Sequence, residues 1–185
     1  MPHARSRDHW TKSRAWLLLE YADDERAYAG NDGYADEPGV SYVYDNYVPN
    51  HLRVQEGDLV LIADKEAVHG VARLSAIRPR PAQKIRSRCP VCKTTSLKGR
   101  KTLLPPLRCA RGHVFAKATT ELVDCTQYRA QYGGSYLRFS KPISVKRLRE
   151  SGAFAPGSQL AIRALNVDRI SADLVNAMPA GSPIP

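Results

Sequence analysis

The sequence predicts a small α+β domain built around a curved sheet and interrupted by a metal-binding insert. Three observations lead there. Short apolar runs bounded by turn signals recur along the chain, two short helical patterns fall near its C-terminal end, and three of four cysteines sit with a histidine in metal-ligand spacing between residues 89 and 113. At 185 residues the chain has the size of one domain, or of one with a small insertion, and is long enough to bury an ordinary core.

Residues 1–14, MPHARSRDHWTKSR, are basic, polar and aperiodic, and read as a flexible arm that adds phosphate contacts. Ala15 to Tyr21 (AWLLLEY) is a continuous apolar run, which the turn-rich sequence after it makes a buried strand rather than a helix. Ala29 to Asn50 is crowded with glycine, proline, tyrosine and acid, and reads as a long structured loop with at most a short strand at Val40 to Tyr44. QEGDLVLIAD gives a turn at Gly57-Asp58 leading into an apolar strand, and AVHGVARLSAI gives a neighbouring strand with Gly70 as a candidate bulge. Beyond the cysteines, GSYLRF is a strand, and SVKRLRESG is a short helix with Ser144 as N-cap and Gly152 just past its end. SQLAIRAL is one more strand, DRISADLVNAM an amphipathic helix, and Met178 to Pro185 a Pro-rich end that frays. The expected division is an arm at 1–14, a core domain at 15–83 and 118–177, an insert at 84–117 and a disordered tail at 178–185.

In the insert, Cys89-Pro90-Val91-Cys92 has the two-residue spacing of one zinc knuckle, and Cys109 with His113 supplies the other half across a sixteen-residue loop. A Cys3His set fills all four tetrahedral positions, so the expected Zn2+ is structural and leaves no place for a reactive water. Cys125 reads as an ordinary buried cysteine, with replacement of His113 as its alternative role. From Arg78 to Lys117 there are twelve Lys and Arg and no Asp or Glu, whereas Glu20 to Glu66 holds twelve acids and only Arg26, Arg53 and Lys65 as bases. So one-sided a block reads as a phosphate-facing surface. Its candidate backbone contacts are Arg78, Arg80, Lys84, Arg86, Arg88, Lys93, Lys98, Arg100, Lys101, Arg108 and Arg111.

The loop GNDGYADEPGVSYVYDNYVPNH supplies the parts of a base-reading recess. Tyr34, Tyr42, Tyr44 and Tyr47 offer stacking faces, while Asn31, Asp32, Asp36, Asp45, Asn46 and Asn50 can pair with a base edge, a carboxylate accepting from the cytosine amino group. Against this stands the plain alternative that the tyrosines fill the core and the acids cap turns. Spacing alone does not choose between them.

The stretches NDGYADEPG, YVYDNYVPNH and VQEGDLVLIADKEAVHGVARLSAI, followed by the cysteine insert, resemble the N-terminal reader module of bacterial McrA-type, HNH-linked modification-dependent restriction endonucleases. That module is PUA-like, alongside SRA and EVE domains, and is also similar to stand-alone streptomycete SRA-like proteins that bind 5-methylcytosine. The resemblance spans about Trp16 to Phe139. It implies a PUA-like, SRA-like curved β-barrel with flanking helices and a zinc-ribbon-like insert, which flips a modified cytosine into an aromatic pocket and does no chemistry on it. The expected partner is double-stranded DNA containing 5-methylcytosine, with a separate nuclease or regulatory protein acting downstream.

The histidines form no convincing catalytic arrangement: His113 is assigned to the metal, His3 and His9 to the arm, and His51 and His69 are isolated. The expectation is therefore a non-enzyme, with a structured-RNA-binding module and a small nuclease as rivals. No run of eighteen apolar residues occurs, Ala15 to Leu19 is too short for a signal sequence, and the cysteine usage suits a reducing compartment. A cytoplasmic, nucleoid-associated protein is expected.

Overall fold

The computed structural model describes residues 14–20, 34–158, 160–183 and 185. Among them the strands are β1 (Ala15–Leu19), β2 (Ser41–Asp45), β3 (Leu59–Ala63), β4 (Ala67–Arg73), β5 (Ala76–Arg88), β6 (Leu97–Gly99), β7 (Leu107–Cys109), β8 (Val114–Phe115), β9 (Thr119–Gln131), β10 (Leu137–Ser144) and β11 (Ile162–Leu165). The helices are α1 (Val145–Glu150) and α2 (Ser171–Ala177), with short 3-10 turns at Gly133–Ser135 and Val167–Ile170. The chain forms two compact units. One comprises Met1–Tyr21, Ala35–Pro79 and Gln127–Pro185, the other Ala22–Tyr34 and Arg80–Thr126. The second takes in most of β5 and the first part of β9.

In the first unit a five-stranded sheet runs in the order β10-β4-β3-β1-β11. Its centre is the parallel pair β1 and β3, in register from Ala15 opposite Leu59 to Leu19 opposite Ala63, and every residue of both strands is buried. Alternation along the strands divides these side chains between two cores. Leu17, Leu19 and Leu61 join Phe139, Ile143, Leu148 of α1 and Leu174 of α2. On the other face Trp16, Leu18, Val60 and Ile62 join Tyr42 and Tyr44 of β2, Ala130 of β9 and Tyr132 just past its end. The turn before β3 is fastened to β1 by the buried Asp58, whose Oδ2 accepts from Trp16 Nε1 at 2.7 Å and from the Gln55 amide at 2.9 Å. Arg14, the last residue of the anticipated arm, donates through Nε to Asp58 Oδ1 at 3.2 Å.

The α+β character is as expected, and the fold is mostly sheet, but the expected barrel is not closed. The five-stranded sheet ends at β10 and β11. The ladder from β4 to β10 breaks between Arg138 and Ile143, and Pro142 lies in that gap without an N–H to donate.

Ser144 caps α1 by accepting from the Arg147 amide, and Gly152 follows the helix in the left-handed region (φ 70°). Met178, expected in a frayed tail, is buried in the first core, and Arg73 Nη2 donates to the Pro185 carbonyl at 3.0 Å. The two thirteen-residue strands β5 and β9 are not legible in the sequence. β5 reads AIRPRPAQKIRSR, in which Pro79, Pro81 and the basic residues leave no apolar alternation. No helix among the described residues is long and apolar enough to cross a membrane.

Opposite Gly70 and Val68 of β4, β3 places Ile62 and Ala63, so that His69 is the extra residue of a bulge. Gly70 itself answers to a close approach: a Cβ there would lie 2.6 Å from Tyr136 Cε2 and 2.7 Å from the Leu137 carbonyl oxygen. Because backbone cannot yield as a side chain can, Gly70→Ala should lower the urea unfolding free energy by about 1–3 kcal/mol. A variant as stable as the parent would show that β10 shifts at little cost.

Candidate metal centre and nucleic-acid interface

The cysteine segment folds as two matching turns in the second unit. In the first, the Lys93 amide donates to the Cys89 carbonyl at 3.0 Å and Lys93 takes a left-handed conformation (φ 61°). In the second, the Gly112 amide donates to the Cys109 carbonyl at 2.9 Å and Gly112 takes φ 90°. Each turn sends its ligands toward one point. Cys92 Sγ lies 3.7 Å from Cys109 Sγ, and His113 Nδ1 lies 3.7 Å from Cys89 Sγ and 3.4 Å from Cys109 Sγ. All four donor atoms lie within 4.8 Å of one another.

A tetrahedron with metal–sulfur bonds of about 2.3 Å has edges of about 3.7 Å, so the four donors suit a metal ion such as zinc. Burial opposes ionisation of the Cys89 thiol, but the amides of Cys92 and Val91 and the thiols of Cys92 and Cys109 outweigh it and hold its pKa down at about 6. A thiolate, the form that binds metal, is thereby favoured at neutral pH. Cys125 lies outside the group, which is the one cluster of three or more Cys, His, Asp and Glu donors found among the described residues. The surrounding core is small: Cys89, Leu97, Cys109 and Phe115, with Cys92, Leu107 and Ala118 against them.

The three-stranded sheet β6-β7-β8 separates this core from an outward basic face. Lys98 of β6 stands directly opposite Arg108 of β7, and Arg108 opposite Val114 of β8, and all three are exposed. Like charges directly across a ladder repel. Lys93, Lys101 and Arg111 are exposed as well, as are Arg78 and Arg80 of β5.

The remaining predicted phosphate contacts are half-buried and engaged with the protein. Lys84 Nζ lies 3.4 Å from the Tyr34 hydroxyl and over its ring, and Arg86 donates to Thr95 Oγ1 at 3.3 Å. Arg88 forms an ion pair with Glu121 and donates to the Lys93 carbonyl at 3.0 Å, so it braces the first knuckle. Arg100 donates to the Pro105 carbonyl at 3.0 Å.

Of the proposed base-pocket residues, Asn31 and Asp32 lie outside the described residues, and Tyr34 belongs to the second unit. Tyr42 and Tyr44 are 3% and 1% exposed, their rings 5.9 Å apart, and present no open face to a stacking base in this conformation. Asp36 accepts from the Val43 amide at 2.6 Å, and the buried Asp45 accepts from the Tyr47 amide at 2.7 Å. Asn50 adopts φ 71° and donates from its side chain to the Ile162 carbonyl at 2.9 Å. Asn46 and Tyr47 are exposed.

Two residues that the sequence reading left out of the pocket complete an aromatic shell. Tyr128 of β9 sits directly opposite Tyr44 and stacks on it at 5.2 Å and 17°, and His51 lies 5.8 Å from the Tyr128 ring. The signal that was available is the period-two set Tyr128, Ala130, Tyr132. The Tyr44 hydroxyl finds no hydrogen-bond partner among the described residues, and burial first, then the nearby Tyr128, push its pKa far up.

Comparison with protein-family models, with curated proteins and with solved structures gives no match.

Purified protein should carry about one equivalent of metal by elemental analysis, as a four-ligand site requires, and Cys89→Ser should lose most of it and lower the melting temperature. A metal-free parent of unchanged stability would remove the site. Tyr44→Phe, which deletes a buried hydroxyl without a partner, should leave the unfolding free energy unchanged or raise it by about 1 kcal/mol; a clear loss in urea melts would mean that the hydroxyl is satisfied in solution.

Proposed function

We propose that the protein is a non-catalytic reader of double-stranded DNA that recognises 5-methylcytosine or a related modified cytosine, with structural zinc at Cys89, Cys92, Cys109 and His113. The observation that carries the reading is the exposed cross-strand pair Lys98 and Arg108, in a segment of twelve basic and no acidic residues. A ladder that sets like charges face to face is relieved by a polyanion, whose condensed counterions are released on contact. PUA-like kinship belongs to the same reading and rests on YVYDNYVPNH and VQEGDLVLIAD.

In this mechanism Lys98, Lys101, Arg108 and Arg111 hold the phosphates, which gives affinity without sequence. The modified base leaves the stack and is received at the aromatic shell, where Tyr47, Tyr128 and His51 have ring surface outside the closed Tyr42–Tyr44 packing. Asn46, exposed beside Tyr47, offers a side-chain oxygen that accepts from a cytosine amino group, which thymine lacks. The methyl group adds apolar burial of roughly 0.8 kcal/mol, enough for a several-fold preference. No step of bond making or breaking is required of the protein.

Fluorescence anisotropy on duplexes that differ at one cytosine, methylated or not, at two salt concentrations tests the reading. The methylated duplex should bind several-fold tighter at both salts. Lys98→Ala with Arg108→Ala should reduce the slope of log affinity against log salt by about two while leaving the methyl preference intact. Equal binding to both duplexes would refute base reading, and stronger binding to structured RNA would turn the basic face toward that polyanion instead.

A further inference from the structure

The connection from β6 to β7 has a composition at odds with its exposure. Gly99 pairs with Leu107, and the seven intervening residues, Arg100 to Pro106, form a closed loop. The Arg100 amide donates to the Pro106 carbonyl at 2.7 Å, and the Arg100 guanidinium braces the Pro105 carbonyl. Two side-by-side leucines occupy this loop: Leu103 is 57% exposed and Leu104 is 88% exposed. Lys101 stands two residues before them, and the strands below carry Lys98 and Arg108.

Solubility does not ask for leucines at the end of a cationic hairpin, and folding leaves them outside the small core beneath. Cations within the same hairpin select a polyanionic partner, and the apolar interior of such a partner is its base stack. We propose that Leu103 and Leu104 form a wedge that enters the duplex and unstacks one base step, the flanking cations anchoring the backbone on either side. This rests on the DNA-binding reading above and adds to it a residue-level agent of duplex deformation. Apolar side chains inserted at a step in this way kink or open it, and the cost is lowest where the step is already weakened. The wedge therefore predicts a dependence on duplex integrity that phosphate contacts lack.

The test uses the full chain carrying its metal and the double variant Leu103→Ala, Leu104→Ala, with metal content confirming the fold. The duplex holds 5-methylcytosine, with 2-aminopurine placed in turn at each step around it. A second duplex has a mismatch at the step that reports. The parent should raise 2-aminopurine fluorescence at one step. The double variant should lose most of that rise, bind the paired duplex about tenfold more weakly, and recover to within about twofold of the parent on the mismatched duplex. The Lys98→Ala, Arg108→Ala variant should be weakened equally on both duplexes. A leucine variant that binds and reports like the parent, or that loses affinity equally on both duplexes, overturns the wedge while leaving DNA binding in place. A parent that binds neither duplex overturns both.

Discussion

The parallel pairing of β1 with β3 constrains the rest of the first unit, because both strands are buried on both faces. A sheet with one wet face would need alternating polar residues here; AWLLL and LVLIA contain none, so each face demands a cover of its own. The helices α1 and α2 with Phe139 and Ile143 close one side. The other side is closed by β2 and β9, and its bulk comes from tyrosines. The Asp58 carboxylate, shared between the Trp16 indole and the Gln55 amide, ties the turn before β3 to β1, so strand register and turn geometry are set by one buried group.

The second unit meets a different constraint. Among the described residues its hydrophobic core of Cys89, Leu97, Cys109 and Phe115 cannot by itself hold a sheet of two- and three-residue strands. Structural zinc in small domains supplies on the order of 10–16 kcal/mol, against about 0.2–1 kcal/mol for a cross-strand pair of either sign. A metal held by the Cys3His cluster would outweigh several like-charge contacts, enough for a segment that carries Lys98 opposite Arg108 to stay ordered. Among the arginines, Arg88 and Arg100 donate to backbone carbonyls of the knuckle and the loop, while Arg108 and Arg111 stay on the surface.

What was legible in the sequence follows from which physics is local. Apolar runs, caps and turns are read from neighbours in the chain, so β1, β3, β4, α1 and the Ser144 cap lie where the sequence puts them, and the metal ligands are legible because knuckle spacing is a local geometric demand. The β5 and β9 strands were not, since AIRPRPAQKIRSR owes its extended form to pairing across the sheet rather than to any apolar period. The open sheet was equally hidden. The strand order that leaves β10 and β11 at opposite edges is set by pairing between segments distant in the chain. The aromatic shell fell between the two cases: YVYDNYVPNH drew attention to Tyr42 and Tyr44, but Tyr128 is brought beside Tyr44 only by antiparallel register.

Burial alone does not account for that shell. Tyr132 and Tyr44 lie in the same core, and both hydroxyls leave water on folding. Tyr132 replaces what it loses: its hydroxyl donates to Glu20 and accepts from the Gly39 amide at 3.0 Å. Tyr44 shows no such replacement among the described residues. Phenylalanine at position 44 would stack on Tyr128 equally well without the desolvation cost of about 1–3 kcal/mol that an unpaired hydroxyl carries. Packing therefore explains the ring of Tyr44 and not its oxygen.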